Sequence, residues 1–226
     1  MRTKYSIAAC LFALSFFTSC NDSFLQRDPK DKYSDVSFWK TPAEAEKFVT
    51  GINLYLVAPE NHTIMTDCYT DNAVPVHVGA EQGSLTAVSS NPHFQQVWDA
   101  AYGGIRRCLV FYQHIDKVPM SDADKARLTG EVQFLEAFFY STLMKFMGGV
   151  PILDRPLALR EPMPERASEE ATYNYIVSLL DKAALALPDI RQSNDHGKPS
   201  AGACYALKAR LALYAHKYDV AEQAAK

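Results

Sequence analysis

One stretch constrains the fold more than any other: residues 130–153, GEVQFLEAFFYSTLMKFMGGVPIL. Apolar residues at Leu128, Val132, Leu135, Phe139, Leu143 and Phe146 recur in steps of three or four, which traces one face of a helix. Phe134, Phe138 and Met144 lie beside that stripe and widen it, so the spacing predicts a helix covered on more than one side. Ser121 stands ahead of it as an N-cap, with Asp124 where a reciprocal carboxylate would sit. Gly148-Gly149 supplies a left-handed ending and Pro151 bars continuation. The reading is a long, buried, sharply terminated helix.

Helices are expected on both sides of it. Thr41-Pro42-Ala43-Glu44 is a helix start, with Thr41 as N-cap, Pro42 at the first helical position and Glu44 closing a capping box. Ala45, Phe48, Ile52, Tyr55 and Leu56 make its apolar face, and Pro59 ends it. Phe38-Trp39 is expected to fold back as an anchor onto the helices. Asn91-Pro92 opens a helix with the stripe Phe94, Val97, Trp98, Ala101, Ile105, Leu109, Tyr112 and Ile115, stopped by Pro119. Trp98 lies on that stripe, which argues for a core residue rather than a stacking platform.

Residues 150–167 carry four prolines and should be extended, lacking donors for regular structure. Ser168 caps the next helix, with Glu169 and Glu170 at its positive end and Leu187-Pro188 at its close. Ser200 begins the last pattern. Ala203, Ala206 and Ala209 let a neighbour approach closely, while Leu207, Leu211 and Tyr214 give bulk. The turn at His216-Lys217, followed by Tyr218, Ala221 and Ala224-Ala225, is similar to a tetratricopeptide hairpin. The chain stops inside the second helix of that hairpin, and a repeat cannot bury its apolar face alone. An all-α fold of tetratricopeptide-like hairpins with long irregular loops is expected, as the N-terminal portion of a longer protein.

The ends and the charge narrow the function. Residues 1–19 read as a signal peptide: Arg2 and Lys4 precede an apolar run, Ile7 to Phe17, too short to span a bilayer as a stable anchor. Thr18-Ser19 then lead to Cys20, an arrangement that resembles a lipoprotein signal in which Cys20 is acylated. Residues 20–40 form a tether and extended segment, and residues 41–226 the helical domain. A net charge of −3 across 226 residues gives no electrostatic footprint for nucleic acid. Cys68, Cys108 and Cys204 are an odd, scattered set and describe no disulfide framework. Cys108 and Cys204 fall on helix patterns and are read as small core residues.

No phosphate-loop, dinucleotide, zinc-protease or nucleophile-elbow motif occurs, and the six histidines lack metal-ligand spacing, so no metal or cofactor is expected. The least regular stretch is 60–91, and loops this long inside a compact protein are usually functional or disordered. It holds Asp67, Asp71, Asn72, His77, Glu81 and Gln82, all able to hydrogen-bond sugar hydroxyls. Asp71 and Asn72 serve equally well as turn or helix caps. Asp67 and Asp71 have the residue type of a glycosidase pair, but loop aspartates at this spacing are common, and catalysis ranks below binding.

Glu131, Phe134-Leu135, Ala137-Phe138-Phe139-Tyr140 and Gly148-Gly149-Val150-Pro151 resemble the signature of the SusD/RagB family. The opening DKYSDVSFWKTPAEAEKFVTGI and the spacing of Trp98, Tyr102, Ile105 and Arg106 are similar to the same family. The pattern departs at Gln133 and Glu136, where arginines are usual. The resemblance implies a surface lipoprotein of Bacteroidota, anchored in the outer membrane through Cys20, with Asn21-Asp22 as an acidic export signal. It implies a glycan or other nutrient as ligand and a TonB-dependent, SusC-like transporter as partner. In the family's starch-binding prototype the region corresponding to Thr70-Asp71-Asn72 contributes to the glycan site. Asp67, Asp71, Asn72, His77 and Gln82 are therefore the candidate ligand-binding residues, with no catalytic residue. The alternatives are a tetratricopeptide scaffold for protein contact and a peptide-binding member of the family.

Overall fold

The computed structural model describes residues 38–57, 92–191, 195 and 197–226, and the account below concerns the compact unit Trp39–Lys226. Its helices are α1 (Pro42–Ile52), α2 (Leu54–Val57), α3 (Pro92–His114), α4 (Asp122–Met147), α5 (Glu169–Ala186), α6 (Ala201–Tyr214) and α7 (Tyr218–Ala225), with a 3-10 turn, Ile115–Lys117, after α3. Among the described residues there is no strand. The all-α reading holds, with one refinement: the first expected helix breaks at Asn53 into α1 and α2.

The caps act as the sequence reads. Thr41 accepts from the Glu44 amide while the Glu44 carboxylate accepts from the Thr41 amide at 2.8 Å. Thr41→Ala should therefore lower stability by about 1 kcal/mol, seen as a lower midpoint in thermal denaturation. Ser121, Ser168 and Ser200 each accept an amide three residues on. Asp124 differs in detail: its carboxylate accepts from the Ser121 hydroxyl at 2.6 Å rather than from the backbone.

Helix α4 is the centre. α3 packs along it on one side and α5 on another, α6 packs on α5, and α7 folds back onto α6. Leu128, Val132, Leu135, Phe139 and Leu143 are buried as the spacing predicts, and Tyr140 and Ala137 on the flank are buried as well. Phe146, Phe134 and Phe138 stay half-buried. Trp39 anchors the start of the unit, stacked on His114 at 5.0 Å and tilted against Phe48 at 4.7 Å. Cys108 and Cys204 are buried free thiols.

Residues 150–167 form no helix or strand, run mostly extended and are broken by a turn at 158–161 in which Arg160 has φ 68°, and side chains replace the missing ladder. The Tyr102 hydroxyl donates to the Pro151 carbonyl at 2.7 Å, and the Leu153 amide donates to the Tyr140 hydroxyl at 2.9 Å. Arg106 reaches the Leu157 carbonyl and Arg166 the carbonyls of Gly149 and Met147. Arg106 and Arg107 act at long range. Arg106 holds the extended segment, and the Arg107 guanidinium lies 4.9 Å over the Phe48 ring.

Candidate functional site

The candidate residues Asp67, Asp71, Asn72, His77 and Gln82 lie outside the described residues, as do Glu81, Cys68 and Cys20. The described residues instead form a groove of about 510 Å³, with α4 between walls from α3 and α6 and with α2 at its side.

Each wall follows from a helix register. Phe138, Thr142 and Lys145 are three or four apart, so they share one strip of α4 and line the groove together. Leu207, Arg210 and Tyr214 do the same on α6, and Val97 and Ala101 on α3. Tyr55 of α2 comes from the face the sequence assigns to core. Its ring sits against Gly103, where a Cβ would fall 2.5 Å from Tyr55 Cε1. Any larger residue at 103 would push that ring away.

The chemistry is mixed. Tyr55, Phe138, Phe146 and Tyr214 offer ring faces, and Lys145, Arg210 and Glu169 offer charge. The Lys145 ammonium lies 5.3 Å from the Phe146 ring centre, a cation–π distance. The Ser141 and Thr142 hydroxyls donate to the Phe138 carbonyl, at 2.8 and 3.0 Å, and keep lone pairs for a ligand donor. Such a surface can hold a ligand without covalent chemistry. Among the described residues no cluster of His, Cys, Asp and Glu has metal-site geometry.

Sequence reasoning missed this groove because each of its residues looks like one position on a helix face. Trp98 was read as core and is only half-buried, tilted against Tyr102 at 4.6 Å. The histidines that are described behave as structural groups: His114 Nδ1 is 2.9 Å from the Val110 carbonyl and His216 Nδ1 is 3.1 Å from the Tyr218 hydroxyl.

Comparison with known proteins bears on the fold and the family. A SusD-like family model, described as starch-binding associating with outer membrane, matches residues 24–213. The chain is similar to SusD-like protein P38 of Formosa agariphila, 24% identical across 95% of this chain and 43% of that protein. A SusD-like protein from Bacteroides fragilis NCTC 9343 superposes with a TM-score of 0.75 and 30% identity, over 88% of this chain and 40% of that one. A SusD-like carbohydrate binding protein of the same organism gives 0.72 at 22% identity, over 83% and 40%. The chain thus spans about two fifths of the length of these relatives.

Proposed function

The chain belongs to the SusD-like family, and we propose that it captures a glycan at the cell surface and passes it to a TonB-dependent outer-membrane transporter. The observation that carries this reading is the family match across residues 24–213. In this proposal residues 1–19 are removed, Cys20 carries the lipid anchor, and 20–40 tether the helical domain to the membrane. Capture is non-covalent: polar groups of the 60–91 region bond sugar hydroxyls, and ring faces stack on the sugar. No step calls for an enzyme.

A glycan-array or affinity-gel screen of the unlipidated protein tests this, with Asp71→Ala/Asn72→Ala and Tyr214→Ala as variants. Binding about tenfold weaker in the double variant, at unchanged melting temperature, would place the ligand in the 60–91 region. A loss confined to Tyr214→Ala would place it in the groove. Tyr214 is 56% exposed, so its removal should leave the fold intact. Binding to no glycan would defeat the proposal. It would favour the second reading, a surface for protein or peptide contact, which the exposed Leu213, Tyr214 and Tyr218 of the α6–α7 hairpin support.

A further inference from the structure

Two glutamates on α4 are buried, five residues apart, and the fold treats them differently. Glu131 is compensated by cations: Arg191 lies 2.8 Å and Arg127 3.1 Å from its Oε1. Glu136 is fully buried and has no ion pair among the described residues. Its two oxygens meet phenols instead. Tyr112 of α3 is 2.9 Å from Oε2 and Tyr175 of α5 is 2.7 Å from Oε1. One carboxyl therefore joins three helices.

We propose that Glu136 is a proton-linked clasp, which holds α3 and α5 to α4 and fastens when its carboxyl takes up a proton. The groups around it are neutral or remote. α3 contributes Tyr112 and the Cys108 thiol, α4 itself contributes Tyr140, and α5 contributes Tyr175 and, at a distance, the exposed Lys182. No titratable group of α1 or α6 among the described residues acts on it. As a carboxylate, Glu136 accepts both phenol protons but leaves an unneutralised charge in the core, which is costly. As a carboxylic acid it donates to one phenol oxygen and accepts from the other phenol. Both contacts survive and the charge is gone.

Burial accordingly raises the Glu136 carboxyl above its ordinary value of 4.5, while the hydrogen bonds from Tyr175 and Tyr112 hold the rise in check. A raised acid stabilises the fold fully below its unfolded value and loses that contribution as pH rises through the folded one. Tyr112 and Tyr175 are themselves raised, by burial first and then by the Glu136 charge, and remain protonated phenols.

The test compares the parent with Glu136→Gln by chemical denaturation from about pH 4.5 to about pH 8. The glutamine keeps both phenol contacts without a charge. The folded-to-unfolded ratio of the variant, relative to the parent, should rise with pH above the ordinary glutamate value, by at most about tenfold per pH unit, then level off. Parallel pH profiles would overturn the proposal. Should Glu136→Gln not fold, carbon-13 titration of the glutamate carboxyls decides. One carboxyl in the parent should titrate above the ordinary range and move higher still in Tyr175→Phe. Its absence, or its indifference to Tyr175→Phe, would equally overturn the clasp.

Discussion

Gly149→Ala is expected to cost about 3 kcal/mol, because the new methyl would meet backbone rather than a side chain able to turn aside. An ideal Cβ at 149 falls 2.1 Å from the Ala167 carbonyl oxygen and 2.7 Å from the Ser168 carbonyl carbon. Those atoms belong to the approach to α5, whose N-cap is Ser168. They are fixed on the other side by the Ala167 amide, which donates to the Val150 carbonyl at 3.2 Å. The end of α4 and the start of α5 would have to separate, and Arg166 would lose its hold on the Gly149 and Met147 carbonyls. For a chain of this size the melting temperature should fall by roughly 6 to 12 °C. Gly148→Ala should also destabilise, for a different reason. Gly148 has φ 68° and ψ −133°, a conformation closed to side chains, at a cost of about 1–3 kcal/mol. A Gly149→Ala protein that melts with the parent would refute the close-approach argument.

The glycine pair shows how far the sequence could be read. Gly148-Gly149-Val150-Pro151 announces a helix end, and α4 does end at Met147. The pair's second role, room for a distant turn of backbone, has no local signature. The caps were legible for the same reason as the helix end. Thr41, Ser121, Ser168 and Ser200 each bond an amide only three residues away. The buried acids were not legible. Helical periodicity assigns charge to the outer face, and apart from Arg127, one turn before Glu131, what makes Glu131 and Glu136 tolerable inside lies far along the chain. Arg191 is 60 residues from Glu131, and Tyr175 is 39 from Glu136. The groove is hidden in the same way. Tyr55, Phe138 and Arg210 come from three helices, and only packing brings them to one surface. The 60–91 candidates rest on residue type and family resemblance, because polar side chains in an aperiodic stretch do not reveal whether they bind a ligand or cap a turn.

Arg191→Met should destabilise by about 2 kcal/mol, less than the roughly 3–5 kcal/mol that breaking an isolated buried pair costs, since Arg127 still reaches Glu131. The Arg191 and Glu131 side chains are 8% and 5% exposed. Removing the guanidinium deprives Glu131 of its 2.8 Å partner and the Pro199 carbonyl of its donor, Arg191 Nε. Pro199 immediately precedes the N-cap of α6, so the loss should be felt where α6 starts. The sign of the second substitution separates charge from packing. If the cost is an unneutralised carboxylate, adding Glu131→Met should restore most of the stability, because two apolar side chains need no compensation in a dry site. Arg127 keeps its 2.8 Å pair with Glu46 in that background. If the cost is lost packing around the arginine stem, the double variant should be worse than either single one. A double-mutant cycle read by urea denaturation gives the coupling directly. A coupling near zero would mean that Arg191 matters to Pro199 rather than to Glu131. That result would move the origin of the effect from α4 to the connection between α5 and α6.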